Sequence, residues 1–332
     1  MNVRMVSFWA VCFILLASQR AAVRSQGTLR YDSDLDGVDV AVYEGGSSSI
    51  SSREALVQMF AWMNASVTVL SATSIKNGAL DDYDLLVVPG GFAGDYNDDL
   101  GGSGRSMIRS FVQYGGAFFG VCAGAYFGCD WIIWEETPIE YYLDLFSGCG
   151  IGAIDEIEPW PGYAMCEINI ARESVLIDLS TEPENHTVMY YGGPYFVPDK
   201  PEEVEIIARY AVNNEPAMIA LEYEAGRVFL SGPHPEWEED SDRDGQAWPD
   251  SFDDIGSEWP MMLSVARWLT EQHTTSTTTT TETSTTTTTT ATTPTTSSTV
   301  VEAPGLIEPT IILIAVVALS IVSASLYARK RR

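Results

Sequence analysis

The stretch Gly120-Val121-Cys122-Ala123-Gly124 lies between an apolar run, Ala117–Val121, and a helical segment that begins at about Ala125. A nucleophile between two glycines at a strand-to-helix turn is the pattern of a nucleophile elbow, where the backbones pack closely. Such a turn would project the Cys122 thiol above the sheet, and the N-terminus of the next helix would favour its thiolate form. We therefore interpret Cys122 as a nucleophile and the N–H of Ala123 as an oxyanion donor. A structural cysteine on a glycine-rich turn is the alternative.

Apolar runs and helical segments alternate upstream of this turn, and the runs end in glycine-rich loops. The predicted strands are Val38–Tyr43, Val67–Leu70, Leu85–Val88 and Ala117–Val121. One predicted helix is capped by Ser51 or Ser52 and continues to about Asn64, and a second covers Arg105–Tyr114. This order predicts a flavodoxin-like, doubly wound, mostly parallel α/β sheet. The glycine-rich loops would line its carboxyl edge, where active sites lie.

The pattern changes after about residue 137, where additional strands are predicted. These strands are Tyr141–Phe146, Ala164–Ile170 and Thr187–Tyr191. The runs Ala217–Glu222 and Arg227–Ser231 flank Ala225-Gly226, which predicts a hairpin. A closing helix is predicted at Pro260–Leu269. The sequence therefore predicts one α/β domain with extra strands.

A second motif, Ser231-Gly232-Pro233-His234-Pro235-Glu236, follows the second strand of the hairpin. His234 stands two residues before a carboxylate. This spacing lets His234 face the thiol as a general base while Glu236 orients its imidazole. A surface loop in an acidic chain is the alternative for this motif alone. The order Cys122, His234, Glu236 strengthens the catalytic interpretation.

Five stretches together resemble the class I glutamine amidotransferase-like superfamily, and more narrowly the N-terminal amidotransferase-like domain of eukaryotic biotin-protein ligases. The stretches, within about residues 38–270, are Val42–Gly46, Asp84–Gly91, Gly120–Phe127, Tyr191–Phe196 and Gly232–Glu236. The elbow and the His-Pro-Glu element point to the superfamily, and Tyr-Gly-Gly-Pro-Tyr-Phe points to the biotin-ligase branch. The resemblance implies the amidotransferase-like fold.

The resemblance also implies roles for individual residues. Cys122 would be the nucleophile, His234 the base and Glu236 its partner. The implied surroundings are a second oxyanion donor from the Gly90-Gly91 loop beside Ala123, and a pocket of Glu44, Gly45, Gly192 and Gly193 with Tyr195 as a wall. No synthetase or biotin ligase catalytic domain follows, so ligation of biotin is not expected. What remains is acyl transfer to water from a small-molecule or peptide amide or γ-glutamyl-type bond, with no cofactor required.

Two other functions stay open at this point. One is a non-catalytic binding or scaffold module that retains the fold. The other is a ThiJ/PfpI-like peptidase, in which Glu44 would assist Cys122. That family usually places a histidine directly after the nucleophile, where this chain has Ala123.

The two ends of the chain predict a surface anchor. Arg4 precedes an apolar run from Val6 to Ala17 that is too short to span a bilayer comfortably, which favours a cleaved signal peptide over an uncleaved anchor. The predicted organisation is a signal peptide at 1–26, an extracellular domain at 27–272, a Thr-rich stalk at 273–304, a transmembrane helix at 305–328 and a basic cytoplasmic tail at 329–332. We therefore expect a single-pass membrane protein at the cell surface, with oligomeric state left open.

The net charge of the 332 residues is -28, and Lys76 and Lys200 are the only lysines outside the tail. A nucleic-acid backbone would be repelled by such a chain, which excludes nucleic acid as a partner. Two D-x-D-x-D-G loops match the opening of a calcium loop, with Asp32, Asp34 and Asp36 in one and Asp240, Asp242 and Asp244 in the other. Neither has an acid at loop position twelve, so solvated acidic loops are the alternative to structural calcium.

The remaining sites suit a secreted protein. Asn64-Ala65-Ser66 and Asn185-His186-Thr187 are glycosylation sequons. If the Cys122 thiol is free, the other three cysteines of the domain allow at most one disulfide, for which we favour Cys149–Cys166.

Overall fold

The computed structural model describes residues 34–141, 143–238, 241–252 and 256–271. The predicted signal peptide, stalk, transmembrane helix and basic tail lie outside these residues. Within the four ranges, every helix falls short of the length and hydrophobicity that a membrane span needs.

Strands and helices alternate in the first half of the described chain, and strands dominate the second half. In chain order the elements are β1 (Asp39–Glu44), α1 (Ile50–Trp62), β2 (Ser66–Ser71), α2 (Ala72–Lys76), β3 (Leu85–Val88), α3 (Ala93–Gln113), β4 (Ala117–Val121), α4 (Ala123–Gly128), β5 (Cys129–Trp134), β6 (Thr137–Glu140), β7 (Phe146–Gly152), β8 (Ala164–Ile170), β9 (Asn185–Tyr190), β10 (Tyr195–Pro198), β11 (Glu205–Tyr210), β12 (Pro216–Tyr223), β13 (Gly226–Ser231) and α5 (Trp259–Thr270).

The main sheet has the strand order β2-β1-β3-β4-β13-β12-β11-β8-β9 among the described residues. The neighbours from β2 to β13 are parallel. The neighbours from β13 to β9 are antiparallel. The mixed α/β fold is thus confirmed, but the expectation of a mostly parallel sheet is corrected, because half of the strand pairs are antiparallel. The cause is local, since β12 and β13 form the predicted hairpin and tight turns can join only antiparallel strands.

Both faces of the central parallel strands β1, β3 and β4 are buried, whereas the edge strand β2 is largely exposed. Val40 and Val42 of β1 point to one face, where they join a core that includes side chains of α1 and α5. Ala41 and Tyr43 point to the other face, where the core includes side chains of α2, α3 and α4. Alternation of side chains along a strand requires such a cover on each face of a buried sheet. This arrangement is the doubly wound architecture that the sequence predicted.

A second sheet, with strand order β10-β7-β5-β6, packs into the same core as α3 and α4. The sequence did not predict β5 and β6. The predicted strand Tyr141–Phe146 is wrong, since Phe146 is the only strand residue in that range once Tyr142, which lies outside the described residues, is set aside. The second predicted helix is longer than expected, because α3 continues across a non-helical residue, Gly101, with φ 57° and ψ -170°.

The carboxyl ends of β3, β4 and β13 meet at one edge of the main sheet. These strands are parallel neighbours, and the Cys122 N–H that follows β4 donates a 2.8 Å hydrogen bond to the Ser231 carbonyl at the end of β13. The loop after β3, the elbow and the loop that carries His234 therefore lie side by side.

Candidate active site

Cys122 occupies a strained turn between β4 and α4. Its φ is 50° and its ψ is -103°, a conformation that costs a non-glycine residue on the order of 1–3 kcal/mol. Gly120 and Gly124 make this turn sterically accessible. A Cβ on Gly120 would lie 2.6 Å from the Gly124 carbonyl oxygen, and a Cβ on Gly124 would clash with the Val88 carbonyl. The two glycines therefore have the packing role that the elbow pattern predicted.

The Cys122 thiol is 8% exposed and lies beside His234. In this structure Cys122 Sγ donates to the Tyr191 carbonyl oxygen at 3.5 Å. A Cβ built on Gly90 would lie 3.6 Å from Cys122 Cβ and 2.7 Å from His234 Cε1. The thiol and the imidazole therefore adjoin the same position on the loop after β3, and a side chain at Gly90 would separate them.

His234 and Glu236 form a buried pair. His234 Nδ1 donates to Glu236 Oε1 at 2.8 Å, and the two residues are 2% and 0% exposed. The His234 main-chain N–H donates to the Met189 carbonyl at 2.8 Å, which fixes the loop. Because Nδ1 is held by the carboxylate, Nε2 is the ring nitrogen left for a reacting group. Nε2 is buried and makes no hydrogen bond of normal geometry with the described residues.

The protonation of His234 is set by competing effects. Burial acts to lower the pKa of the imidazole, whereas the Glu236 carboxylate and Cys122 raise it, with a net result of about 10. A cationic imidazole between an anionic carboxylate and a thiolate is the arrangement that activates cysteine nucleophiles. The geometry of the site therefore suits an imidazolium that is held by Glu236 beside the Cys122 sulfur.

Ser52 is a member of the site that sequence reasoning identified only as a candidate helix cap. Its hydroxyl donates to Glu236 Oε1 at 2.6 Å and accepts from the Gly90 N–H at 3.0 Å. The helix cap is Ser49 instead, whose side chain accepts from the Ser52 N–H. Since the Gly90 N–H is engaged by Ser52, the expectation that Gly90 supplies an oxyanion donor is corrected. The Gly91 amide is the remaining candidate on this loop.

Trp237 was also missed by the sequence analysis. Its indole stacks on the His234 imidazole, with centroids 4.0 Å apart and an interplanar angle of 12°. Trp237 is 2% exposed. Together with Glu236 it restricts the orientation of the imidazole. The only sequence signal was its position one residue after Glu236.

The expected pocket residues fall into two groups, and the first consists of Gly192, Gly193 and Tyr195. Gly192 accepts a 3.0 Å hydrogen bond from the Tyr126 hydroxyl, directly after the Tyr191 carbonyl that Cys122 contacts. Gly193 packs so closely on Gly232 that a Cβ would clash with its carbonyl. Tyr195 pairs with Ile151 in the second sheet and packs on a hydrophobic core.

Glu44 and Gly45 form the second group, whose contacts are with residues outside the elbow. Glu44 is exposed, and its carboxylate forms a 3.2 Å ion pair with Arg53. A Cβ on Gly45 would meet Asp99 and Tyr43 rather than the elbow. The expectation that Glu44 assists Cys122 is therefore corrected, and with it the basis for a ThiJ/PfpI-like mechanism.

Asp32 and Asp240 lie outside the described residues. In the described part of the acidic loops, the carboxylates of Asp34 and Asp244 accept hydrogen bonds from nearby main-chain N–H groups. Asp34 accepts from the Asp36 N–H at 3.0 Å. The carboxylate of Asp244 is buried and accepts from the N–H groups of Glu238 and Gln246, and burial raises its pKa to about 6. Across the described ranges no group of three or more His, Cys, Asp or Glu side chains could hold a metal ion.

Cys149 and Cys166 are both thiols in the structure, so the expected disulfide between them is corrected. They lie on strands of different sheets, β7 and β8, and burial raises the pKa of Cys149 to about 12. Asn64 and Asn185 are both exposed. Their glycosylation stays a prediction.

Comparison with known proteins shows the class to which the domain belongs. The chain is 33% identical over 161 residues to an uncharacterized protein of Chlamydia muridarum, a match that covers 46% of this chain and 60% of that one. It is 26% identical over 216 residues to the biotin--protein ligase of Schizosaccharomyces pombe, covering 60% of this chain and 33% of that one. The chain thus spans less than two thirds of these relatives. A solved glutamine amidotransferase superposes with a TM-score of 0.45 at 18% identity, covering 59% of this chain and 90% of that one.

The sheet and its elbow are those of a mixed α/β domain. More narrowly, residues 38–259 match the family described as "Biotin-protein ligase, N terminal". This match covers more than half of the chain, and the chain belongs to that family.

Proposed function

We propose that the domain is a cysteine-nucleophile hydrolase that transfers an acyl group to water from an amide or γ-glutamyl-type bond. The observation that carries this proposal is the buried 2.8 Å hydrogen bond from His234 Nδ1 to Glu236 Oε1, beside Cys122. It orients the imidazole so that Nε2 serves the thiol. The reaction needs no cofactor.

In the first step the Cys122 thiolate attacks the carbonyl carbon of the substrate, and a carbon–sulfur bond forms. The Ala123 and Gly91 N–H groups stabilise the oxyanion that results. The His234 imidazolium then donates its Nε2 proton to the leaving nitrogen as the carbon–nitrogen bond breaks. The products of this step are a thioester on Cys122 and a free amine.

In the second step water hydrolyses the thioester. His234, now neutral, accepts a proton from the water as its oxygen attacks the carbonyl carbon. Collapse of the second oxyanion breaks the carbon–sulfur bond and releases the carboxylic acid. Glu236 keeps its hydrogen bond to Nδ1 throughout, which favours the imidazolium that forms.

Alkylation of the full chain by iodoacetamide, read by peptide mass spectrometry, tests this proposal. Cys129, Cys149 and Cys166 are buried thiols and provide internal controls in the same sample. We expect Cys122 alone to react at pH 6, faster than a model thiol, and to lose this advantage in His234→Ala. If Cys122 reacts no faster than the model thiol, the hydrolase proposal is wrong.

One observation favours a second candidate, a binding module that retained the fold. Cys122 is 8% exposed and its thiol is directed to a main-chain carbonyl. A buried thiol of this kind can be structural. Slow alkylation of Cys122 together with a lower Tm in Cys122→Ala would favour this module over the hydrolase.

We further propose that the domain is displayed at the cell surface. The support is the sequence, because residues 310–327 form a predominantly apolar run and residues 329–332 are all basic. Deletion of residues 305–332 should release the protein into the medium of expressing cells. Retention of the shortened chain inside the cells would contradict the proposal.

A further inference from the structure

A row of aromatic side chains surrounds the proposed nucleophile. We call it the aromatic rim and define it as Phe92, Trp160, Tyr191, Tyr163 and Trp248. Successive members are in ring contact, with centroid distances of 6.3, 5.3, 5.5 and 5.3 Å in that order. The Trp160 and Tyr191 rings are stacked, with an interplanar angle of 27°.

The aromatic rim is attached to the catalytic groups at three places. Phe92 follows the Gly90-Gly91 loop directly. The main-chain carbonyl of Tyr191 accepts the hydrogen bond from Cys122 Sγ. At the other end Trp248 contacts Trp237, with centroids 4.9 Å apart, and Trp237 stacks on His234. The rim therefore extends from the oxyanion side of the thiol to its base.

Two members of the aromatic rim are too exposed to serve only as packing. Phe92 is 59% exposed and Tyr163 is 45% exposed. Trp160, Tyr191 and Trp248 are half-buried beneath them. Large aromatic side chains that reach solvent in a connected patch mark binding sites, because they gain from stacking on a ligand ring.

The distribution of basic side chains further restricts the class of ligand that the site could bind. Residues 86–104, 110–171, 173–199 and 228–242 supply the elbow, the base loop and four of the five rim members, and they contain neither Lys nor Arg. Two arginines that stand next to site segments, Arg53 after Ser52 and Arg243 after residue 242, are already engaged. Arg53 pairs with Glu44, and Arg243 pairs with Glu238 and lies over Trp259. A substrate carboxylate, such as that of free glutamine, would find no Lys or Arg side chain on these segments.

We infer that the substrate is a ring-bearing amide or related acyl compound without an anionic group, whose planar ring stacks on the aromatic rim. This inference rests on the proposed hydrolase function and specifies its substrate class. The ring would contact Phe92 and Tyr163 while the acyl carbon lies over Cys122.

Three alkylating probes test the inference on the full chain: 2-chloroacetamide, its N-benzyl derivative and its N-(4-carboxybenzyl) derivative. In each case Cys122 forms a carbon–sulfur bond and chloride leaves, and rates are normalised to a model thiol. We expect the N-benzyl probe to label Cys122 at least ten-fold faster than 2-chloroacetamide. The carboxylate of the N-(4-carboxybenzyl) probe should remove most of this rate advantage. Equal normalised rates for all three probes would overturn the inference.

Variants of two rim residues, with a matched control, test whether the rate advantage of the N-benzyl probe arises at the aromatic rim. Phe92→Ala and Tyr163→Ala should each reduce the ratio of the N-benzyl rate to the chloroacetamide rate at least three-fold. Tyr114→Ala is the control, because Tyr114 is 82% exposed and lies at the far end of α3. A ratio that persists in both rim variants, or that falls equally in the control, would overturn the inference.

A binding measurement separates this inference from the hydrolase proposal. Full-length Cys122→Ala is titrated with N-benzylacetamide, and the tryptophan fluorescence is followed. We expect a saturable change that is weakened in the Phe92→Ala double variant. If Cys122 proves unreactive but this binding is present, the hydrolase proposal fails and the inferred ring-binding site stands. If no saturable change occurs, the inference fails whatever the reactivity of the thiol.

Discussion

The Ser52 hydroxyl donates a 2.6 Å hydrogen bond to Glu236 Oε1, across a sequence separation of 184 residues. The same oxygen accepts from His234 Nδ1, and the Ser52 oxygen accepts from the Gly90 N–H. Ser52 thereby connects the carboxylate that orients the base to the loop beside the thiol. We regard it as a positioning residue, since it reaches the thiol only through other groups.

Ser52→Ala should lower both stability and reactivity. Loss of a hydrogen bond to a buried carboxylate costs about 1–3 kcal/mol, measured by denaturant unfolding. The less firmly held Glu236 should also stabilise the imidazolium less, which shifts the pH profile of Cys122 alkylation. Ser51→Ala is the control, because the Ser51 hydroxyl pairs with Ser49 on the same turn rather than with Glu236. A stability loss with an unshifted pH profile would mean that Ser52 is merely structural.

Gly90→Ala should separate the base from the thiol. The new Cβ would lie 2.7 Å from His234 Cε1, so the imidazole must move. We expect the alkylation rate of Cys122 to fall at least ten-fold. Gly102→Ala is the matched control, since its Cβ would have no neighbour within 4 Å and should be neutral or slightly stabilising. Unchanged alkylation in Gly90→Ala would show that His234 does not activate the thiol.

The stability of the fold should depend on pH through His234. Its pKa is raised from 6.5 to about 10, as Glu236 and Cys122 outweigh the effect of burial. The stabilisation is therefore fully present below pH 6.5 and is lost as the pH rises through 10. Between these values the native state holds up to one proton more than the unfolded state, a slope of about 1.4 kcal/mol per pH unit.

Urea unfolding of the wild type and of His234→Gln from pH 6 to pH 10 measures this slope. The glutamine variant retains a polar side chain but cannot bind the proton, so its free energy of unfolding should decline less steeply. Groups that titrate in this range without contacting His234 contribute equally to both proteins. Parallel curves for the two proteins would contradict a raised His234 pKa.

Asp244 should stabilise its loop without a metal ion. Its two oxygens accept from the N–H groups of Glu238 and Gln246. Asp244→Ala should lower the free energy of unfolding by about 1–3 kcal/mol, equally in calcium and in EDTA. Asp242→Ala, at an exposed position of the same loop, should have little effect. A loss seen only in calcium would support the calcium loop that the sequence suggested.

Local patterns predicted the parts of the site that are close in sequence. The elbow at Cys122 has its two glycines within two residues, and Glu236 stands two residues after His234. Strand order then brought these motifs together, since β4 and β13 are adjacent. The superfamily resemblance supplied that adjacency, which periodicity alone could not.

Tertiary contacts explain what the sequence analysis missed or misplaced. The Gly90 N–H was expected at the oxyanion, but its acceptor is a hydroxyl on α1, 38 residues away. Glu44 ends β1 at the carboxyl edge of the sheet, yet its side chain turns to Arg53. Neither the hydrogen bond from Gly90 to Ser52 nor the ion pair of Glu44 with Arg53 has a signature within a short window of sequence. The same holds for the aromatic rim, whose members come from four separate segments.

The hydrogen bond from the His234 N–H to the Met189 carbonyl has a consequence for the antiparallel strands. Met189 lies on β9, the last strand of the main sheet, while His234 follows β13, where the antiparallel half begins. Strands β13, β12, β11, β8 and β9 therefore form a ring, which the hydrogen bond from His234 to Met189 closes. At Met189 the outermost strand does not offer a free edge to other chains, which protects against edge-to-edge association. A disturbance of this ring would therefore reach the base through the His234 N–H and the nucleophile through the Tyr191 carbonyl that Cys122 Sγ contacts.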